Sequence, residues 1–242
     1  MGATLINKGL RRLFSPMMST ERFDMDGRRN IIFNTMKNFH TQGYNFASDY
    51  ITKCDIVLDI ACGCGYGSNI LSKKAFQVYA VDMDHDTIKR NKKLYRSKNL
   101  HFICSEATQT KLAKGSFDVI VSLETIEHIN NYGLFLKEVY KLLKKGGVMI
   151  LSTPNKKFND ALFNTKKPFC NSHKKEFKTE ELLNIIKNKG FKNVDVYTQG
   201  TAITSQSLLT YITSVLILFK SPKVILKKEN TSGLYNYFVC LK

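Results

Sequence analysis

Apolar residues along this chain alternate between two rhythms, short runs and helical periodicity. The runs at Ile56–Ile60, Gln77–Asp82, Leu100–Cys104 and Ser116–Glu124 read as buried strands, and Lys144 to Thr153 reads as a helix end running into a fifth. Strands alternating with helices predict a parallel sheet covered on both faces. Ahead of it, Asn30–Phe39 and Asn45–Thr52 read as helical. Beyond it, Thr179–Lys189 is a punctuated helix: Thr179 is the candidate N-cap, Glu180 and Glu181 suit its positive end, and Gly190 closes it. Asn193–Gln199 and Tyr235–Leu241 are the remaining strands.

Three segments fall outside this rhythm. Residues 1–29 have few periodic apolar positions and form a basic arm that Pro16 interrupts. Residues 156–178 follow the fifth strand on the side where open sheets bind ligands, so they are the expected substrate lid. Residues 200–233 form a helical insertion before the last strand. Its apolar run at 207–219 falls short of the roughly 20 residues that span a bilayer, leaving a buried helix or a homodimer contact, with a membrane-surface contact helped by Lys220, Lys223, Lys227 and Lys228 as the minority reading. The 242 residues, 43% of them hydrophobic, suit one domain with a sizeable core. Six cysteines without zinc-ligand spacing, and no secretory signal, point to a reducing cytoplasmic setting.

The chemistry concentrates where the first strand ends. Asp59-Ile60-Ala61-Cys62-Gly63-Cys64-Gly65 runs from a carboxylate into a glycine turn, whose missing Cβ atoms let backbone approach a ligand. A dinucleotide turn wants glycine or alanine at the position of Ser68, and a pyrophosphate would be repelled by Asp59. A cationic nucleoside would be attracted. S-adenosylmethionine fits, with its sulfonium, ammonium and ribose diol. Asp82, ending the second strand, can accept from both ribose hydroxyls, Met83 can pack on adenine, and Glu106 and the Ala107 amide can meet the adenine edge.

Taken together, the Asp-x-x-Cys-Gly-x-Gly turn, Val81-Asp82, Ser116-Phe117-Asp118-Val119-Ile120 and Lys145-Gly146-Gly147 resemble the class I S-adenosylmethionine-dependent methyltransferases. The resemblance covers roughly residues 44–242. It implies a Rossmann-like α/β fold, a seven-stranded mostly parallel sheet whose last strand is antiparallel, and helices on both faces. It also implies cofactor contacts from Asp59, Gly63, Gly65, Asp82, Met83, Glu106, Ala107 and Leu123. Glu124-Thr125-Ile126-Glu127-His128, Ser152-Thr153-Pro154-Asn155 and His173-Lys174-Lys175-Glu176-Phe177 resemble the small-molecule and glycan O-methyltransferase branch.

A hydroxyl acceptor must lose its proton, and His128, after the fourth strand, is the first candidate base; His173 in the lid is the second. Glu124, Glu127 and His128 also resemble the residues with which quinone-biosynthesis O-methyltransferases hold a divalent ion such as magnesium. A net charge of +17 raises a nucleic-acid reading. The lysines are dispersed on solvated faces, however, and no RNA-binding module is present, so a sugar, nucleotide-sugar or glycan hydroxyl is the expected acceptor, with an anionic one drawn to a basic cleft as an intermediate case. An RNA methyltransferase and a non-catalytic cofactor-binding protein are the competing classes.

Overall fold

The computed structural model describes residues 31–163, 170–199, 224–225, 233 and 235–242. The basic arm, part of the lid and nearly all of the insertion, including 207–219, lie outside the described residues. Helix α1 (Ile31–Ser48) leads into β1 (Ile56–Ile60), α2 (Tyr66–Leu71), β2 (Gln77–Asp82), α3 (His85–Leu94), β3 (Leu100–Cys104) and β4 (Phe117–Ser122). A 3-10 turn (Ile126–His128) follows, then α4 (Tyr132–Leu142), β5 (Leu143–Pro154), α5 (Lys156–Phe163), α6 (Thr179–Lys187), β6 (Lys192–Gln199), β7 (Val224–Ile225) and β8 (Tyr235–Leu241).

The strands form one sheet in the order β3-β2-β1-β4-β5-β8-β6-β7. From β3 to β5 neighbouring strands pair in parallel, whereas β8 pairs antiparallel with both β5 and β6. The implied seven strands are thus present, and the two-residue β7 extends the edge beside β6. Alternate side chains leave opposite faces of a strand, and that division builds two cores. Val57, Val78, Val119 and Ile150 meet Tyr44, Ala47, Leu71 and Ile88. Leu58, Ile120, Met149 and Phe238 meet Phe135, Leu136, Leu182 and Ile186. Phe135 is fully buried, so truncating it to Ala would cost about 3–5 kcal/mol.

Where the chain departs from the sequence reading, packing supplies the reason. The two helices expected at 30–39 and 45–52 are one helix, because Gly43 lies inside it. A Cβ at Gly43 would come 2.5 Å from the Tyr237 hydroxyl, so the glycine serves a close approach rather than a break. The last helix is capped at Lys178, not Thr179, whose hydroxyl instead accepts a hydrogen bond from Asn236 at 3.0 Å. Lys144 to Gly147 belong to β5 rather than to a helix end. Lys144 pairs with Asp118 on β4 at 2.8 Å, drawing these residues into the sheet.

Antiparallel β8 matters for position. Its first residue, Tyr235, stands opposite Pro154, the last residue of β5. One edge of the sheet therefore collects the carboxyl ends of β1, β2, β4 and β5 together with the start of β8.

Candidate active site

The turn after β1 is held by backbone geometry. Ala61, Gly63 and Gly65 have φ of 63°, 50° and 75°, the left-handed region in which a Cβ is costly. Gly65 is short of space as well, since a Cβ there would lie 2.9 Å from both Asn91 Nδ2 and the Phe102 ring. At Gly67 a Cβ would collide with the Tyr44 ring. Asp82 ties the turn to β2: Oδ2 accepts from the Gly63 amide at 2.9 Å and Oδ1 from the Asp84 amide at 3.0 Å. Asp84 in turn caps α3 through the Thr87 amide at 2.6 Å, and Asn91 donates to the Gly63 carbonyl at 2.7 Å. Each Asp82 oxygen keeps a second lone pair for a ligand hydroxyl.

Beside this turn opens a cavity of about 720 Å³, within the range of small-molecule and cofactor sites. Gly63, Asp82, Met83, Glu106, Ala107 and Leu123 all stand on its wall. Met83 is 73% exposed, free to cover a planar base. Asp59 and Gly65 are not wall residues. Asp59 is fully buried, accepting from Ser68 Oγ at 2.6 Å and from the Tyr44 hydroxyl at 3.3 Å. Loss of hydration pushes its carboxyl up to about 7 despite those two hydrogen bonds, which pull it down. Its contact with any ligand therefore runs through the turn.

The other end of the cavity is assembled from distant segments. Glu124, Glu127, His128, His173, Tyr235 and His40 line it. Glu124, at φ 49°, accepts from Ser152 Oγ at 2.6 Å, and its own amide donates to that hydroxyl at 3.0 Å. Burial, followed by the nearby Glu127, raises its carboxyl well above the usual range. Glu127 is fully buried and accepts from Thr153 Oγ1 at 3.1 Å, while its Oε1 has no hydrogen-bond partner among the described residues. Burial lifts it to about 7, with the attraction of His173 acting in the opposite direction. His128 and His173 stack edge to face, with centroids 4.9 Å apart. Desolvation lowers His40 to about 4, so it stays neutral at physiological pH.

The divalent-ion set expected from the sequence is not the set that assembles. Ligand-type atoms of Glu127, His128 and His173 lie within 4.8 Å of one another, but Glu124 is outside that group, turned to Ser152.

Residues 58–151 match the family model described as a methyltransferase domain. A protein of Mycolicibacterium smegmatis named as a probable S-adenosylmethionine-dependent methyltransferase is 29% identical over 140 residues, covering 57% of this chain and 52% of its own. A ubiquinone biosynthesis O-methyltransferase of Pelagibacter ubique is 33% identical over 136 residues, covering 56% and 55%. Among solved structures, a methyltransferase from Archaeoglobus fulgidus described as dependent on S-adenosylmethionine superposes with a TM-score of 0.63 at 17% identity, covering 88% of this chain and 95% of that one. Residues 58–151 are thus similar in sequence to methyltransferase domains, and the fold is one that solved methyltransferases share. The chain spans about half the length of the curated relatives it matches.

Within residues 58–151, the residues predicted from the sequence at the donor end lie together, apart from Asp59 and Gly65 just behind the wall. Sequence reasoning missed His40 and Tyr44 on α1, Tyr66 on α2, Tyr235 on β8 and the buried Glu176. Gly67 held a signal for one of them, since a glycine where a helix begins invites a ring to cross it. No local signal marks Tyr235. Its place depends on the antiparallel register of β8.

Proposed function

We propose that this protein transfers the methyl group of S-adenosylmethionine to a hydroxyl of a small molecule, a sugar, nucleotide-sugar or glycan. One observation carries the reading: a single cavity joins the Gly63–Asp82 turn to a wall bearing His128 and His173 beside buried carboxyls. The donor end suits a ligand with a diol and no phosphate. The other end suits a neutral nucleophile that must shed a proton, with an imidazole as the base. Transfer from a sulfonium is an in-line displacement, so alignment of the acceptor oxygen behind the methyl carbon supplies much of the rate.

The cavity sharpens the acceptor class. Although the chain carries +17 overall, the described wall carries one lysine, Lys174, against the acids Asp82, Glu106, Glu124 and Glu127, the last two with carboxyls raised by burial. A wall with a single lysine offers little to pair with a phosphate. Among the acceptors proposed, it favours an unphosphorylated sugar or glycan hydroxyl over a nucleotide-sugar, and either over RNA. No helix among the described residues is long and apolar enough to cross a membrane.

The test combines calorimetry with S-adenosylhomocysteine and label transfer from methyl-labelled S-adenosylmethionine to sugars, nucleotide-sugars, glycans, amines and RNA. Binding with alkali-stable label on a sugar hydroxyl is expected. Label on RNA or on nitrogen would overturn the acceptor class, and preferential NAD binding would overturn the donor.

A further inference from the structure

The segment carrying His173 is locked in place on both sides. Amides of Lys174 and Lys175 donate to the Glu127 carbonyl at 2.8 and 3.1 Å, tying the segment to the 3-10 turn. Phe177 is fully buried against Tyr132, its ring perpendicular at 5.2 Å. Lys175 lies over both rings and pairs with Glu181 at 2.7 Å. Within this frame His173 Nδ1 and Glu176 Oε1 are 2.7 Å apart, with the two side chains only 6% and 2% exposed. Nothing in methyltransferase chemistry at the donor end uses that pair.

We propose that Glu176 is a positioning residue that makes His173 the proton acceptor for the methylated hydroxyl; this rests on the methyl-transfer reading above. An ionised carboxylate only accepts hydrogen bonds, so Nδ1 must carry the hydrogen and Nε2 is left with its lone pair. A carboxylate behind an imidazole selects the tautomer and stabilises the imidazolium that forms. In the transfer step, the acceptor O–H proton moves to His173 Nε2 as an oxygen lone pair forms the new C–O bond. The C–S bond breaks with its electrons going to sulfur, so the sulfonium becomes a neutral thioether and the positive charge ends on His173, between Glu176 and Glu127. His128 then serves as the edge-on neighbour that limits rotation of the His173 ring.

The tautomer can be read without knowing the acceptor. Long-range ¹H–¹⁵N correlation spectra of the full labelled chain with S-adenosylhomocysteine at pH 8, assigned with His173→Gln, should show His173 neutral with its proton on Nδ1. A proton on Nε2, or on both nitrogens, overturns the proposal. With a verified acceptor, Glu176→Gln should lower kcat at least about tenfold while acceptor KM and donor Kd hold, and Glu176→Asp should recover part of the loss. Unchanged kcat in a folded Glu176→Gln also overturns it. Absence of any methyl transfer by the native chain, alongside an Nδ1 proton, would instead fail the methyl-transfer reading and leave the His173–Glu176 geometry standing.

Discussion

The two ends of the cavity are built by opposite means. The donor end is local: between Ala61 and Ala107, one side chain at the end of β2 and two glycines in left-handed conformations fix the shape, and most bonds involve backbone. The acceptor end is global. It draws Glu124, Glu127 and His128 from the loop after β4, Ser152 and Thr153 from β5, His173 and Glu176 from beyond α5, and Tyr235 from β8. Backbone geometry can hold an invariant ligand with few specialised side chains, whereas proton chemistry needs side chains whose environments are made by neighbours far along the chain.

If the division is real, substitutions should separate cleanly. The largest effect expected is on turnover: His173→Ala should reduce kcat by about 10²–10⁴-fold with donor affinity retained. His128→Ala should cost less, because its ring flanks the base. Single-turnover label transfer and calorimetry with S-adenosylhomocysteine provide the two readouts. Equal loss of both properties in His173→Ala would mean that the cavity is one coupled unit.

The next effect probes the layer behind the donor wall. Burial holds the Asp59 carboxyl near 7, above its ordinary 3.8. A group whose folded pKa is raised favours folding most below its unfolded pKa, and that contribution is lost as pH rises through the folded value. In the cofactor-free chain, Asp59→Asn should therefore raise stability by roughly 2–4 kcal/mol at pH 8 and by little at pH 4. Urea denaturation at both pH values gives the comparison; a stabilisation independent of pH would show that the carboxyl is not titrating in this window.

The same division explains what could be read from the sequence. Continuous apolar runs located β1 to β5, and Gly63, Gly65 and Asp82 sit at fixed spacings within one turn–strand unit, so short-range pattern was enough. Residues 31–48 were read as parts of two helices, whereas they form one whose interior passes close to Tyr237 at Gly43. Thr179 was read as a cap because hydroxyl residues favour that position, yet the tertiary contact with Asn236 took its oxygen. Glu127, His128 and His173 were recognisable as chemistry-bearing residues. What they do was not, because Thr153 and Glu176, which hold Glu127 and His173, arrive from other elements.

A smaller effect sharpens the local end. Asp82→Ala removes an acceptor for the donor's hydroxyls and for the Gly63 and Asp84 amides. Donor affinity should fall by about 1.5–3 kcal/mol, with any residual turnover at saturating donor little changed. Titration calorimetry with S-adenosylhomocysteine measures it directly, and an unaltered Kd would remove Asp82 from the site.

The smallest effect expected is that of a chelator. Glu124 is committed to Ser152, and its carboxyl is raised well above the ordinary range by burial and by Glu127. A carboxyl raised in this way gives up its proton less readily, and that weakens it as a ligand for a hard divalent ion, which takes ionised oxygens. Glu127, lifted to about 7, supplies at most a partly ionised second oxygen ligand. EDTA followed by desalting should therefore leave the label-transfer rate unchanged, and elemental analysis of the purified chain should find less than stoichiometric metal. Inactivation reversed by one added cation would convert Glu127, His128 and His173 from an acid–base wall into a metal centre. It would also move the acceptor end closer in character to the donor end, with a bound group rather than a side chain holding the chemistry.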